Sequence, residues 1–131
     1  MNSGDGHTIP NYIKVLKEGF NNIIAEAQRK LESLDLTNPE DLEKEAFLRA
    51  VIIADKAVLK FAERYADMAK ELASKESDEK RREELIQISK VCRNVPANPA
   101  RTLHEAIQAL VFTNIAIQVE NNGHSISFGR V

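Results

Sequence analysis

A single cysteine, Cys92, leaves this chain of 131 residues without any internal disulfide. Only five glycines and four prolines occur. With the exception of Gly19, they fall near expected helix ends or in connecting loops. No apolar run is long enough to span a bilayer. Met1-Asn2-Ser3-Gly4-Asp5-Gly6 lacks the basic and apolar regions of a signal peptide. Charge of one sign is also missing. The net charge of −2 gives no electrostatic reason to expect nucleic acid or a membrane surface as partner. A cytoplasmic protein is the simplest expectation. What is present is 43% hydrophobic and 29% charged residues, enough for one globular domain.

The pattern predicts an all-α chain with about four helices in an antiparallel, bundle-like array. Residues 1–9 read as loop. Pro10 suits a first helical turn, where its missing donor costs nothing. Tyr12, Val15, Leu16, Phe20, Ile23, Ile24, Ala27, Leu31 and Leu34 then recur at steps of three and four, one helical face over 10–34. Gly19 inside that face costs about 1 kcal/mol against alanine and marks a candidate close contact. Thr37 or Asn38 caps a second, long helix over 39–74. Its apolar residues are Phe47, Val51, Ala54, Val58, Phe61, Tyr65, Met68 and Leu72, widened by Leu48, Ile52 and Ile53. Ser77-Asp78 opens a third helix over 78–95, with Leu85, Ile88, Cys92 and Val95 as its seam. Pro96 and Pro99 end it in an extended linker.

Thr102-Leu103-His104-Glu105 has the spacing of a capping box for a fourth helix over 102–120. Residues 106–119 contain no charge at all. Ile107, Leu110, Val111, Ile115 and Val119 form one face; Ala109, Phe112, Ala116 and Ile117 occupy much of the other. A helix apolar nearly all round is buried nearly all round. Three neighbours of this size cover only part of it, so a partner or further chain is expected. Residues 121–131 form a turn and strand-like tail, with Ile126 and Phe128 alternating with Ser125, Ser127 and Gly129.

Most polar candidates have an ordinary structural explanation. Cys92 lies on an apolar seam and reads as a small core residue rather than a nucleophile. Asp55, beside Lys56, reads as a surface carboxylate in preference to a partly buried one. His104 sits in a helix's first turn with no partner motif. Glu79-Lys80-Arg81-Arg82-Glu83-Glu84 mixes signs as solvated faces do. His7 and His124 differ, because each directly follows a glycine, as Gly6-His7 and Gly123-His124, and the two flank the helical body. Ser125 follows the second of them. Two distant histidines are not a metal signature, and no HxxxH, CxxC or HExxH pattern adds ligands.

Several stretches, in order, resemble a known family. They are Gly6-His7-Thr8-Ile9-Pro10 leading into Tyr12 and Lys14-Val15-Leu16, and Phe61-Ala62-Glu63-Arg64-Tyr65. Then come Val91-Cys92-Arg93-Asn94-Val95-Pro96 and Pro99-Ala100-Arg101-Thr102-Leu103-His104-Glu105-Ala106. The last are Asn122-Gly123-His124-Ser125-Ile126-Ser127 and Gly129-Arg130. Over nearly its whole length the chain resembles an internal segment of a glycyl radical enzyme. The branch is the pyruvate formate-lyase-like one that contains glycerol and propanediol dehydratases.

That resemblance implies a place among the helices around a ten-stranded α/β barrel. It implies that His7 and His124 line a substrate pocket as catalytic groups, that a histidine helps protonate a departing hydroxyl, and that Ser125 binds substrate. The substrate would be small and polar, such as a diol. The family's Gly-Cys-Val-Glu-type thiyl loop and its glycyl loop are not in this sequence, and Cys92 does not take the thiyl role. The resemblance therefore implies no cofactor in this segment and no turnover by it alone. It implies a glycyl radical elsewhere in a parent enzyme, installed by a radical S-adenosylmethionine activase. The implied partners are the remainder of that chain, the activase and the substrate, and the charge-free fourth helix adds a homodimer as a candidate. The charge-free helix supports an alternative without chemistry, a free-standing helical dimerisation or interaction module.

Overall fold

A computed structural model describes residues 9–120 and 126–129. The described residues form four helices: α1 (Tyr12–Glu32), α2 (Pro39–Lys75), α3 (Glu79–Asn94) and α4 (Leu103–Glu120). Ile126 makes an isolated β-bridge, and no strand occurs among the described residues. The all-α expectation holds.

Side-chain caps set the helix starts. Asn11 accepts from the Lys14 N–H at 3.2 Å, so α1 begins after Pro10 and its cap. Of the two candidates for α2, Asn38 is the cap, accepting from the Glu40 N–H at 3.1 Å. Asp78 accepts from the Arg81 N–H at 2.7 Å to open α3. Thr102 Oγ1 accepts from the Glu105 N–H at 3.2 Å, which is half of the expected capping box. The Glu105 carboxylate departs from the box. It takes the Arg101 backbone N–H at 2.7 Å and the Arg101 guanidinium at 2.6 Å, and it is buried.

Gly19 corrects the reading of α1. Its φ of 72° and ψ of 161° are not helical, and the helix kinks there. The linker between α3 and α4 repairs the break. Phe20 N–H donates to Pro96 O at 2.9 Å, Asn21 N–H to Ala97 O at 3.0 Å, and Ala100 N–H to Leu16 O at 3.0 Å. These bonds satisfy backbone groups that the kink would otherwise orphan. Gly19 is thus a backbone-to-backbone contact, not a helix-interior glycine that alanine would improve.

α2 is the spine and touches the other three helices. Its buried side differs from the expected seam. Phe47, Met68 and Leu72 are 68%, 58% and 51% exposed, whereas Ala62, Ala66, Ala69 and Ala73 are buried. An alanine ridge at steps of four and three lets α3 approach closely. Ser89 Oγ donates to Ala66 O at 2.8 Å across that contact. Cys92 packs on Ala62 and Ala66. Contacts that climb α3 therefore descend α2, so the pair runs antiparallel. Phe112 of α4 joins the same core, with Phe61 and Tyr65 edge-on at 5.8 and 5.7 Å between ring centroids. A second core joins Ile24 and Ala27 to Ile52, and a third joins Val91 and Val95 to Ala109.

α4 is covered on one side only. Ala109, Phe112, Thr113 and Asn114 are buried. Ile107, Val111, Ile115 and Val119, all from the charge-free stretch, lie on exposed surface, Val119 at 79%. No described helix is long and apolar enough to cross a membrane.

Candidate functional site

The two ends of the described chain meet at the start of α1. A Cβ added to Gly129, at φ 67°, would lie 2.6 Å from Ile9 Cγ2, so tail and entry segment are in contact. The Tyr12 ring packs on Phe128 with centroids 5.6 Å apart. Tyr12 is 1% exposed, and its hydroxyl accepts from Asn114 Nδ2 at 3.1 Å. Asn114 Oδ1 in turn accepts from Gln118 Nε2. One buried side chain therefore ties together the first turn of α1, the middle of α4 and the tail.

The sequence reading passed over this tether. The available signal was Asn114, a polar residue in an otherwise apolar helix, where burial demands a hydrogen-bond partner. Tyr12→Phe removes the acceptor and strands the Asn114 amide. The expected cost is about 1–2 kcal/mol, read from urea unfolding. The double change Tyr12→Phe with Asn114→Leu is expected to recover part of it, because both polar partners are then gone. A Tyr12→Phe protein as stable as the parent would show that the bond contributes nothing.

Beside the tether lies a groove of about 770 Å³ between α1, α2 and α4. Val15, Val51, Val58, Ile115 and Val119 are among its apolar lining residues, and Asp55 is its carboxylate. The surface reading of Asp55 is corrected here. The residue is half-buried, its Oδ2 is buried without a hydrogen-bond partner, and desolvation pushes its carboxyl up to about 6. Asp55 lines the groove together with side chains of α1 and α4, a placement that the adjacent Lys56 in the sequence concealed.

Cys92 is buried, and desolvation raises its thiol pKa, the opposite of an activated nucleophile. His104 is exposed on the first turn of α4. Among the described residues no three His, Cys, Asp or Glu side chains gather closely enough to hold a metal ion. His7, His124 and Ser125 lie outside the described residues.

The family profile described as pyruvate formate lyase-like matches residues 1–131, the entire chain. The chain belongs to that family. This pyruvate formate lyase-like chain is 43% identical over 125 residues to the isethionate sulfite-lyase of Nitratidesulfovibrio vulgaris, covering 94% of this chain and 15% of that protein. Among solved structures, it matches the glycerol-bound form of the B12-independent glycerol dehydratase from Clostridium butyricum. The identity is 44% and the TM-score 0.93, over 98% of this chain and 16% of the other. A glycyl radical enzyme from Archaeoglobus fulgidus matches at 37% identity and a TM-score of 0.90, over 97% and 16% of the two chains. Homologues of this family segment are glycyl radical lyases and dehydratases, and the chain is an enzyme segment by family. It spans about 15% of the length of the curated relatives it matches.

Proposed function

We propose that this chain is the helical segment of a glycyl radical lyase or dehydratase, and that it supplies part of the wall of the substrate pocket. The parent enzyme acts on a small polar substrate, such as a diol, by C–O or C–C cleavage. The observation that carries the reading is the match to the glycerol dehydratase at a TM-score of 0.93, supported by contact between the entry segment and the tail. Ile9, two residues after His7, is in contact with Gly129, four residues after Ser125.

On this reading His7 and His124 hold and move the proton that a departing hydroxyl needs. An imidazole with a pKa of about 6.5 gives and recovers a proton near neutral pH. Ser125 both donates to and accepts from a substrate hydroxyl. A glycyl radical elsewhere in the parent chain, installed by a radical S-adenosylmethionine activase, would generate the cysteine thiyl radical that takes the hydrogen atom from the substrate. The partners are the remainder of that chain, the activase and the substrate, and the compartment is the cytoplasm.

The direct test is the full parent chain, co-expressed anaerobically with its activase. A glycyl signal in electron paramagnetic resonance and aldehyde formation from glycerol or 1,2-propanediol are expected. A chain that acquires no radical under conditions that charge the glycerol dehydratase would remove the reading.

The exposed stripe of Ile107, Val111, Ile115 and Val119 favours a second reading, a helical module that dimerises through α4. Sedimentation of the 131-residue chain separates the two. A symmetric dimer with α4 at its interface supports the module. A monomer or an aggregate supports the enzyme segment.

A further inference from the structure

The groove between α1, α2 and α4 combines features that an ordinary solvent-facing surface does not. Its floor and walls are apolar, with Val51 and Val58 from α2 facing Ile115 and Val119 from α4. Val119 is 79% exposed and Ile115 37%, so the groove is open along its α4 side. Among these side chains stands Asp55, whose Oδ2 is buried and without a partner. An ionised carboxylate in such a place is costly unless a donor reaches it. The matched solved structures are about six times longer than this chain, which covers 16% of each.

We infer that this groove seats a segment of the same enzyme chain from beyond these 131 residues. That segment lays an apolar face on Val51, Val58, Ile115 and Val119 and presents a hydrogen-bond donor to Asp55. The inference rests on the reading that the chain is part of a larger enzyme. Geometry favours such a segment over a second copy. A twofold partner brings the same patch to the contact. Two concave grooves leave each other unfilled, and each copy adds another unpaired Asp55.

The test uses the full-length enzyme before activation. Ala54→Cys and Ala57→Cys place thiols at exposed small residues that line the groove, and Lys70→Cys marks open surface on the same helix. Two groove positions guard against one variant failing to fold. In the folded enzyme, a maleimide is expected to label positions 54 and 57 more than roughly tenfold slower than position 70, with all three equal after denaturation. Labelling as fast as at position 70 overturns the inference. So does protection that disappears when the enzyme is diluted to a monomer, since a second copy would then be the cover.

Asp55→Leu reads the donor. The full-length variant is expected to melt several degrees lower, because a buried donor is left unpaired. Melting at or above the parent temperature overturns the donor assignment. All of these readouts precede radical formation. Failure of the proposed chemistry leaves them unchanged, and an open groove in an active enzyme sinks this inference alone.

Discussion

His124→Ala in the radical-bearing parent enzyme is expected to lower kcat about 10²- to 10⁴-fold, the range for loss of a positioned general acid or base. His7→Gln is expected to fall within the same range. Glutamine still donates a hydrogen bond, but it neither takes nor gives a proton near neutral pH. The rates must be expressed per glycyl radical, measured by electron paramagnetic resonance, so that poor activation is not mistaken for poor chemistry. Loss of kcat with radical content intact supports the proton-transfer role. Normal turnover per radical in both variants would withdraw both histidines from the mechanism.

Gly19→Ala is expected to be the most damaging single methyl in the described residues. The backbone there has φ +72° and ψ 161°. That conformation belongs almost entirely to glycine and costs other residues about 1–3 kcal/mol. The new Cβ would also lie 2.5 Å from Ala97 O and 2.6 Å from Asn98 Cα. Those are backbone atoms, so no flexible side chain can yield. Moving the linker breaks the bonds that Phe20, Asn21 and Ala100 make across the kink. Conformational strain and overpacking together are expected to cost about 3–5 kcal/mol. Urea unfolding followed by circular dichroism checks it, with Asn22→Ala at an exposed helical position as the control. A Gly19→Ala protein as stable as that control would show that the kink is optional.

Helix identity was the most legible part of this molecule. Caps and apolar periodicity are local, and Asn38, Asp78 and Thr102 act over two or three residues of chain. The buried side of α2 was harder. Phe47, Met68 and Leu72 drew attention because they are large, yet burial follows the neighbour available. α3 packs on the small side of α2, where alanines permit a close approach. Asp55 was misread for a similar reason. Its sequence neighbour Lys56 suggests solvent, while the groove it lines is built partly by helices distant in sequence. The two histidines drew attention only because each follows a glycine and sits within a family motif, and both lie outside the described residues. The profile match over residues 1–131 confirms the family to which those motifs pointed.

Sequence alone therefore determined the all-α class, the four helices and the family. It also identified α4 as a helix too apolar for its own neighbours to cover. The helices and the apolar character of α4 follow from spacing along the backbone, where periodicity and cap chemistry act at short range, and the family from the resemblance of its motifs. Tertiary structure decided where α1 kinks, which side of α2 is core, and that Tyr12 rather than a charged residue ties the start of α1 and Phe128 to α4. Those outcomes depend on atoms far apart in the sequence, 102 residues for Tyr12 and Asn114 and more for Tyr12 and Phe128. No local preference encodes such contacts, because their free energy exists only once the helices have packed.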